Sequence, residues 1–345
     1  MQTKIHYHPG DSALIEAVSV LRAGGLVAFP TETVYGLGAN GLDREAAKKV
    51  YAAKGRPSDN PLILHLYSPE QAERYAYTCP LYYKLALAFM PGPLTVILKK
   101  KPIVPNEVTG GLQTVALRVP SHPVARALLE KCDFPVAAPS ANISGKPSPT
   151  TVGHVIDDMD GKIDMILDGG ECSVGVESTI VMIDGDDLSL LRPGAVTPEM
   201  LAPFAARVLI DPSLERPLAG NEKPLAPGMK YKHYAPRADV RLLKGDEERV
   251  ASYMMRYKRC PYVGLMTDEA HYHALRSKRT VCYGKDAKDE AHSLFACLRA
   301  FDGMPKVGTV YAPLPSKDGI GLAVYNRLAK AAGFTVIDVT GFAER

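Results

Sequence analysis

The sequence predicts two α/β domains joined by an extended linker. Short apolar segments alternate with helical patterns in residues 1–205 and again in 239–345, which is typical of sheets whose strands are connected by helices. With 345 residues the chain is also longer than one typical hydrophobic core supports. Prolines punctuate the intervening stretch, 206–238, and indicate an extended linker without a packed element. These prolines are Pro212, Pro217, Pro224 and Pro227.

Composition and charge exclude several classes of protein. Apolar residues make up 46% of the chain and charged residues 23%, as in ordinary soluble domains. The formal charge of +3 is too small to require nucleic acid as the main partner. No apolar run has the length of a membrane span, and residues 1–10 lack a signal-peptide core. Six cysteines without CxxC spacing favour reduced thiols over a zinc site, so we expect a cytoplasmic protein with no membrane partner.

The first domain begins with a helix, a buried strand and a polar loop. A helix starting at Asp11 or Ser12 places Leu14, Val18 and Leu21 on one face, and the glycines at 24–25 end it. The apolar run at 26–29 predicts a strand, which Pro30 terminates. The loop at 31–38 then carries hydroxyls, a carboxylate and two glycines. Ligands bind at strand carboxyl ends in open α/β sheets, so we expect part of a site here.

A basic loop at 54–61 follows the next predicted helix, at 43–54. A glycine and two prolines exclude regular helix or strand, so the loop is predicted to be rigid. Lys54 and Arg56 supply cations of different reach, and Ser58 and Asn60 add neutral donors, a set suited to a polyphosphate. The alternative is a solvated basic turn that caps the preceding helix.

Two polar side chains interrupt predicted buried strands. His65 lies in the strand at 62–66, where a lone histidine is more often a core residue than a ligand or base. Arg118 lies in the apolar strand at 114–119, where a charge must either reach water or be paired. We therefore take Arg118 as a site candidate.

A second polar loop, 140–150, follows the short strand predicted at 136–138. It is not a P-loop, because Pro147 follows the lysine and the glycine spacing is absent. Its hydroxyls, amide and glycine suit an anion or a ribose; the alternative is a turn cluster that caps the helix at 151–159. Beyond it, Ser178 precedes the strand at 179–183, and Arg192 closes the last strand of this region.

The second domain is predicted to be a small doubly wound sheet. Strands near 240–243, 263–266, 280–283, 307–311 and 335–339 alternate with helical stretches, the longest at 287–301. The region has no dinucleotide fingerprint and no catalytic constellation, so we expect a lid or regulatory module.

Seven motifs occur in order along the first domain. They are PTETVYGLG (30–38), KGRPSDNPL (54–62), PGPLT (91–95), LRVPSHP (117–123), PSANISGKPSPT (139–150), ESTIV (177–181) and LRPGAV (191–196). Together they resemble the YrdC-type domain of L-threonylcarbamoyl-AMP synthases. Further on, APGMKYKHYAP (226–236), Gly321, NRL (326–328) and KAA (330–332) resemble the C-terminal extension of the long form of that family. The resemblance implies a YrdC-like domain with a twisted mixed sheet, plus a smaller Rossmann-like domain and a linker that closes over the active site.

The resemblance also implies an activity. L-Threonine, bicarbonate or CO2, and ATP would give threonylcarbamoyl-AMP and pyrophosphate in a nucleotidyl transfer, with Mg²⁺ accompanying ATP. The product would pass to proteins that complete threonylcarbamoyladenosine in tRNA. The metal ligands are left unassigned.

Site residues follow from the resemblance position by position. Lys54 and Arg56 would carry the catalytic charge neutralisation. Contacts to ATP are expected from Arg56, Ser58, Asn60, Thr114, Ser140, Asn142, Ser148, Arg192 and Tyr234. Contacts to L-threonine are expected from Thr33, His65, Arg118, the backbone of Ala138, and Ser178, with Arg118 pairing the carboxylate.

Two other classes stay open at this point. The chain could be an RNA-binding module that uses a basic and aromatic patch at 230–234, although its modest charge and lack of a known RNA motif weigh against this. It could also be another carbamoyl-transfer enzyme, similar to hydrogenase-maturation proteins. Those carry zinc-finger cysteine pairs, which this chain lacks.

Overall fold

The structure is a computed structural model that describes residues 2–216, 224–227 and 233–341. The chain folds as two units, one formed by Met1–Ser144 and Ser148–Lys230, the other by Gly145–Pro147 and Tyr231–Arg345. The domain limits at 205/206 and 238/239 stay predictions.

A mixed sheet organises the first unit, and eleven of its strands lie in the described residues. The strands are β1 (Lys4–Tyr7), β2 (Val27–Phe29), β3 (Gly36–Asn40), β4 (Ile63–His65), β5 (Leu94–Lys99), β6 (Thr114–Arg118), β7 (Val136–Ala138), β8 (Met165–Asp168), β9 (Thr179–Asp184), β10 (Asp187–Arg192) and β11 (Arg207–Ile210). Their order across the sheet is β1-β8-β2-β3-β7-β4-β6-β5-β9-β10-β11. Parallel and antiparallel neighbours both occur, which confirms the mixed sheet.

Helices connect these strands and cover the sheet. They are α1 (Asp11–Arg22), α2 (Arg44–Lys54), α3 (Pro80–Phe89), α4 (Asn106–Thr109), α5 (Pro123–Glu130), α6 (Val152–Met159) and α7 (Pro198–Leu201), with 3₁₀ turns at Pro69–Arg74, Ala202–Phe204 and Pro212–Leu214. The predicted apolar face of α1 is buried with α5 against β2, β7 and β8. A second cluster contains Ile63, Ile97, Ala116, Ile180 and Leu191. Paired side chains on neighbouring strands point to the same face of the sheet, and so do residues two positions apart on one strand. The members of this cluster therefore identify the other residues on the same face.

Two strands contradict the sequence analysis, and two others, β1 and β8, lie where it predicted no element. Residues 36–38 were expected in a loop, but β3 pairs with β2 there, since its glycines allow a close approach to Phe29. The prediction of a linker without a packed element is wrong for 207–214, because β11 pairs with β10 and a 3₁₀ turn follows. A three-residue apolar run, 208–210, between prolines gave too weak a strand signal.

The second unit contains a parallel sheet, which confirms the doubly wound prediction. Its described strands are β12 (Asp239–Lys244), β13 (Val263–Thr267), β14 (Thr280–Cys282), β15 (Thr309–Pro313) and β16 (Val336–Asp338), in the order β14-β13-β15-β12-β16. Its helices are α8 (Glu247–Tyr257), α9 (Glu269–Leu275), α10 (Ala287–Asp302) and α11 (Gly321–Ala331).

Within the part of the chain that the structure describes, no helix combines the length and apolar character needed to cross a membrane.

Candidate active site

The basic loop at 54–61 is anchored by its own cations. Helix α2 starts at the cap of Asp43 and ends at Lys54, where Gly55 adopts a left-handed conformation with φ of 60°. The Lys54 side chain is 2% exposed, and its Nζ donates to the backbone carbonyls of Ser140 and Asn142. Lys54 therefore ties the basic loop to the polar loop at 140–150.

Arg56 holds the far end of the same loop. Its Nε donates to the Asn60 carbonyl at 3.2 Å, and its Nη2 donates to the Pro61 carbonyl at 3.0 Å. Both Lys54 and Arg56 are buried, so the alternative of a solvated basic turn is wrong for these side chains. Ser58 is exposed, whereas Asn60 is buried and its Oδ1 has no hydrogen-bond partner among the described residues.

The polar loop at 140–150 supplies further hydrogen-bond donors, one of which contacts a carboxylate outside the loop. Ser140 Oγ lies 2.5 Å from Asn142 Oδ1, to which it donates. Ser148 is fully buried and its Oγ donates to Glu177 Oε1 at 2.5 Å. The sequence analysis gave Glu177 no role; the signal that could have singled it out is an acid directly before a buried strand.

Strand register explains why these residues converge. Strand β4 pairs in parallel with β6 and antiparallel with β7, so the start of β4 lies beside the start of β6 and the end of β7. The basic loop enters β4 at this edge, Thr114 starts β6 there, and the chain leaves β7 toward Ser140 there. Six of the expected ATP residues thus approach one edge of the sheet from three segments: Arg56, Ser58, Asn60, Thr114, Ser140 and Asn142, of which Thr114 is half-exposed. Arg192 lies at the opposite end of these strands, because it pairs with Ile180, which is level with Arg118 at the end of β6. Ser148 contacts Glu177, just before β9, and also lies away from this edge.

A row of polar side chains crosses the adjoining strands. His65 pairs with Arg118, and Arg118 pairs with Thr95, so the three side chains point to one face. Ala138 pairs with Ile63, two residues before His65, and shares that face. The row lies on the same face of the sheet as the second apolar cluster.

Arg118 is paired, as its burial requires. Its Nη2 donates to Glu32 Oε1 at 2.6 Å, and Glu32 Oε2 accepts from the Ser121 N–H at 3.0 Å. Burial acts to raise the pKa of Glu32, but the Arg118 charge and these hydrogen bonds outweigh it and hold the pKa below its usual value. Arg118 is 4% exposed, and its Nε has no partner among the described residues. The sequence analysis gave Glu32 no partner; it is the only acid in the loop that follows β2.

His65 is a buried neutral imidazole. It is 3% exposed, its Nδ1 donates to the Ile63 carbonyl at 3.1 Å, and Phe29 packs edge-on against it at 6.0 Å. Burial, with the Arg118 charge in addition, lowers the pKa of His65 to about 3. His65 is therefore both a core residue and a member of the polar row.

Ser178 joins the row through two hydroxyl contacts. Its Oγ lies 2.7 Å from Thr95 Oγ1 and accepts from Arg192 Nη2 at 3.1 Å, while Arg192 Nε donates to the Ser178 carbonyl at 3.0 Å. In the loop after β2, Thr31 Oγ1 donates to the Val34 carbonyl and lies 2.9 Å from Thr33 Oγ1. Thr33 is fully buried.

Tyr234 belongs to the second unit. Its backbone φ is 66°, its ring stacks on Phe295 at 5.3 Å, and the Arg327 guanidinium lies 5.7 Å from the ring centre. Its expected contact with ATP stays a prediction. Of the other residues in the predicted basic and aromatic patch, His233 is buried, and Lys230, Tyr231 and Lys232 lie outside the described residues.

Two family models match consecutive parts of the chain. The Sua5/YciO/YrdC model, described as telomere recombination, matches residues 19–194, and a model described as threonylcarbamoyl-AMP synthase, C-terminal domain, matches residues 196–333.

Individual relatives resemble the whole chain. A threonylcarbamoyl-AMP synthase of Bacillus subtilis is 45% identical over 95% of both chains, and one of Pyrococcus abyssi is 44% identical over 94% of this chain and 95% of the relative. The crystal structure of P. abyssi Sua5 complexed with L-threonine has a TM-score of 0.90 and 41% identity, and the match covers 98% of this chain and 100% of that one. The chain therefore belongs to the threonylcarbamoyl-AMP synthase family, in the form that carries the additional C-terminal domain.

Proposed function

We propose that this enzyme is a nucleotidyltransferase that makes threonylcarbamoyl-AMP and pyrophosphate from L-threonine, bicarbonate or CO2, and ATP. Similarity to threonylcarbamoyl-AMP synthases over almost the full chain supports the product. The L-threonine in the P. abyssi structure supports the amino-acid substrate.

The single observation that carries the proposal is the environment of Arg118. A buried guanidinium presents a planar fork of donors, and here one edge is taken by Glu32 while Nε has no partner among the described residues. A threonine carboxylate at Nε would complete the hydrogen bonding of this group. Thr33, His65, the backbone of Ala138, and Ser178 would contact the rest of the amino acid.

The ATP phosphates would bind at the edge where the basic loop meets the polar loop. Lys54 and Arg56 supply positive charge there, and Ser58, Asn60, Ser140 and Asn142 supply hydrogen-bonding groups. We assign further nucleotide contacts to Thr114, Ser148, Arg192 and Tyr234.

Catalysis of this reaction depends more on positioning the substrates than on a covalent intermediate with the enzyme. The neutral threonine amine attacks the carbon of CO2, which bicarbonate gives on protonation and loss of water. An N–C bond forms as one C–O π bond opens onto its oxygen, and an amine proton leaves to give a carbamate. A carbamate oxygen then attacks the α-phosphorus of ATP, the bond to the bridging oxygen breaks, and pyrophosphate leaves with that electron pair. Buried cations at fixed positions stabilise the negative charge that develops on the phosphates.

Mg²⁺ is proposed as a companion of ATP. Among the described residues no three His, Cys, Asp or Glu side chains converge to hold an ion, and the residues assigned to the phosphates are cations and neutral donors. This set fits Mg²⁺ that takes its ligands mainly from phosphate oxygens and water, and the ion would supply further charge neutralisation.

The product determines the partners. An adenylate of this kind is an activated acyl donor, so we propose that proteins that transfer threonylcarbamoyl to tRNA consume it. We also place the reaction in the cytoplasm, where ATP, threonine and tRNA occur together.

The test is pyrophosphate release from ATP and magnesium, with threonine and bicarbonate omitted in turn. We expect release only when both are present, and immediate mass analysis should identify a threonylcarbamoyl adenylate. Release without these substrates, or no release from a protein that binds ATP, would contradict the proposal.

A further inference from the structure

The second unit contains a cavity at the carboxyl edge of its parallel sheet. The cavity has a volume of about 250 Å³, and residues that follow four different strands line it. Gly245 follows β12, Asp268 follows β13, Tyr283 follows β14 and Ser316 follows β15. One water occupies about 30 Å³ in the liquid, so the cavity has room for a small organic molecule.

The topology of the sheet places this cavity at a switch point. From β13 the chain continues to β14 on one side, whereas from β15 it continues to β16 on the other side. The loops that leave β13 and β15, which are neighbours, therefore diverge. Ligands of open α/β sheets bind in the crevice that such divergence creates. Thr267 and Pro313, the last residues of these two strands, both line the cavity.

The polar part of the lining is acidic. Glu247, Asp268 and Glu290 contribute carboxylates, and no Lys or Arg occurs among the described residues that line the cavity. Asp268 also caps α9 by accepting from the His271 N–H at 2.9 Å, and its carboxylate contacts His271 Nδ1 at 2.9 Å. The apolar part of the lining includes Val250, Met254 and Leu275.

Glu290 is the group most affected by these surroundings. Burial, and after it the negative charge of Asp268, raise the pKa of Glu290 to about 7. Tyr283, which is 3% exposed, shares a hydrogen bond with Glu290 and fixes its side chain. A positively charged group between Glu290 and Asp268 would relieve their repulsion.

Two classes of ligand fit this lining poorly. Phosphates are disfavoured because carboxylates occupy the loops where a nucleotide-binding sheet would present backbone N–H groups or cations. A bound metal ion is disfavoured because the described residues contain no group of three His, Cys, Asp or Glu side chains able to hold one.

We propose that this cavity binds a small organic amine with an apolar body. The ammonium group lies between Glu290 and Asp268, and the apolar body packs on Val250 and Met254. None of the residues that line the cavity is among those assigned to threonine or ATP.

Methyl NMR of the full chain tests the proposal with defined probes. The Met254 methyl signal, assigned through Met254→Leu, is followed while isopentylamine is added at a pH above the pKa of Glu290. Isopentanol and 3-methylbutanoate have the same branched body with a neutral or a negative head group. We expect saturable shifts with millimolar amine, about tenfold weaker binding of the alcohol, and no response to the carboxylate.

Matched variants locate the binding. Glu290→Gln should weaken amine binding about tenfold or more, because it removes the charge and keeps the shape. Glu248→Gln, at an exposed position on α8 outside the lining, should leave it unchanged. Ala251→Phe gives an independent check, since Ala251 lines the cavity and a larger side chain would fill it. Equal responses to amine and alcohol, no shift at millimolar amine, or undiminished binding in Glu290→Gln or Ala251→Phe would overturn the proposal.

Discussion

Arg118 serves two carboxylates in the proposed complex, that of Glu32 and that of the substrate. The sequence predicts that a charge in an apolar strand must be paired, but it does not identify the partner. Glu32 lies 86 positions earlier in the chain, and only the fold brings the two side chains to 2.6 Å. Glu177 and Ser148 are a second such pair, for the same reason.

Arg118→Ala should reduce kcat/KM for threonine by about ten- to a hundredfold, since a charge-assisted contact contributes roughly 1.5–3 kcal/mol. The KM for ATP should change little, because the proposed phosphate contacts are made by other residues. Arg22→Ala is the control, as Arg22 forms an exposed ion pair with Asp133. Unchanged threonine dependence in a folded Arg118→Ala protein would remove the carboxylate assignment.

Glu32→Gln should lower the free energy of unfolding at neutral pH by about 3 kcal/mol, because it leaves the buried Arg118 without a counter-charge. The pKa of Glu32 is lowered in the folded protein, so its contribution is complete above the ordinary value of 4.5 and is lost as the pH falls through the lowered value.

Urea unfolding of the original protein and of Glu32→Gln, from neutral pH to below the lowered pKa of Glu32, measures the difference in their free energies of unfolding. This difference should become smaller as the pH falls. Glu16→Gln removes an exposed carboxylate and should have little effect. A difference that stays constant with pH would show that the charge of Glu32 is not the cause.

At the scale of the element, β3 shows how glycine fits a strand into a crowded sheet. A Cβ on Gly38 would lie 2.9 Å from both Phe29 Cε1 and Val136 Cγ1. Phe29 in turn packs edge-on against His65. The bare backbone of Gly38 therefore allows the ring to support the polar row.

Gly38→Ala should destabilise the first unit by about 1–3 kcal/mol through overpacking and should raise the KM for threonine, because Phe29 must shift. Thermal unfolding and steady-state kinetics measure the two effects. Gly153→Ala is the matched control: it lies in helix α6 with only one atom within 4 Å of the added Cβ, so it should be neutral or slightly stabilising. Equal behaviour of the two variants would contradict the packing argument.

Elements with strong local signals were predicted well. Helix α2 has a capping aspartate at its start and a left-handed glycine at its end, and α10 has a regular apolar face. Strands β3 and β11 were not predicted, because glycines give β3 a low strand propensity and β11 is a short edge strand that pairs only with β10 among the described strands. Both segments are strands because they pair with strands that are already part of the sheet.

At the scale of the molecule, each unit has an apolar core of its own. Leu21 is fully buried in the cluster beneath α1 and α5, and Leu265 is buried in the cluster beneath α8. The sequence predicted two domains from length and pattern alone. It could not predict that Gly145–Pro147 would group with the second unit, because local pattern does not report distant contacts.

We expect two unfolding transitions in urea. Leu21→Ala should lower the urea midpoint of the first unit's transition, and Leu265→Ala should lower that of the second unit's transition. In each case the free energy of unfolding of that unit should fall by about 2–5 kcal/mol. Hydrogen exchange read by mass spectrometry assigns each transition to its unit. A single transition that both substitutions shift equally would contradict independent cores.

The order of strands in the large sheet has a consequence during protein synthesis. Lys4 in β1 pairs with Met165 in β8, and β2 also pairs with β8. At about 5–20 residues per second, a ribosome needs roughly 10–30 s to produce the intervening chain. Throughout that interval β1 and one edge of β2 lack their partner strand in the nascent chain, so these unpaired edges are open to pairing with other chains and a chaperone that covers them would protect the growing polypeptide.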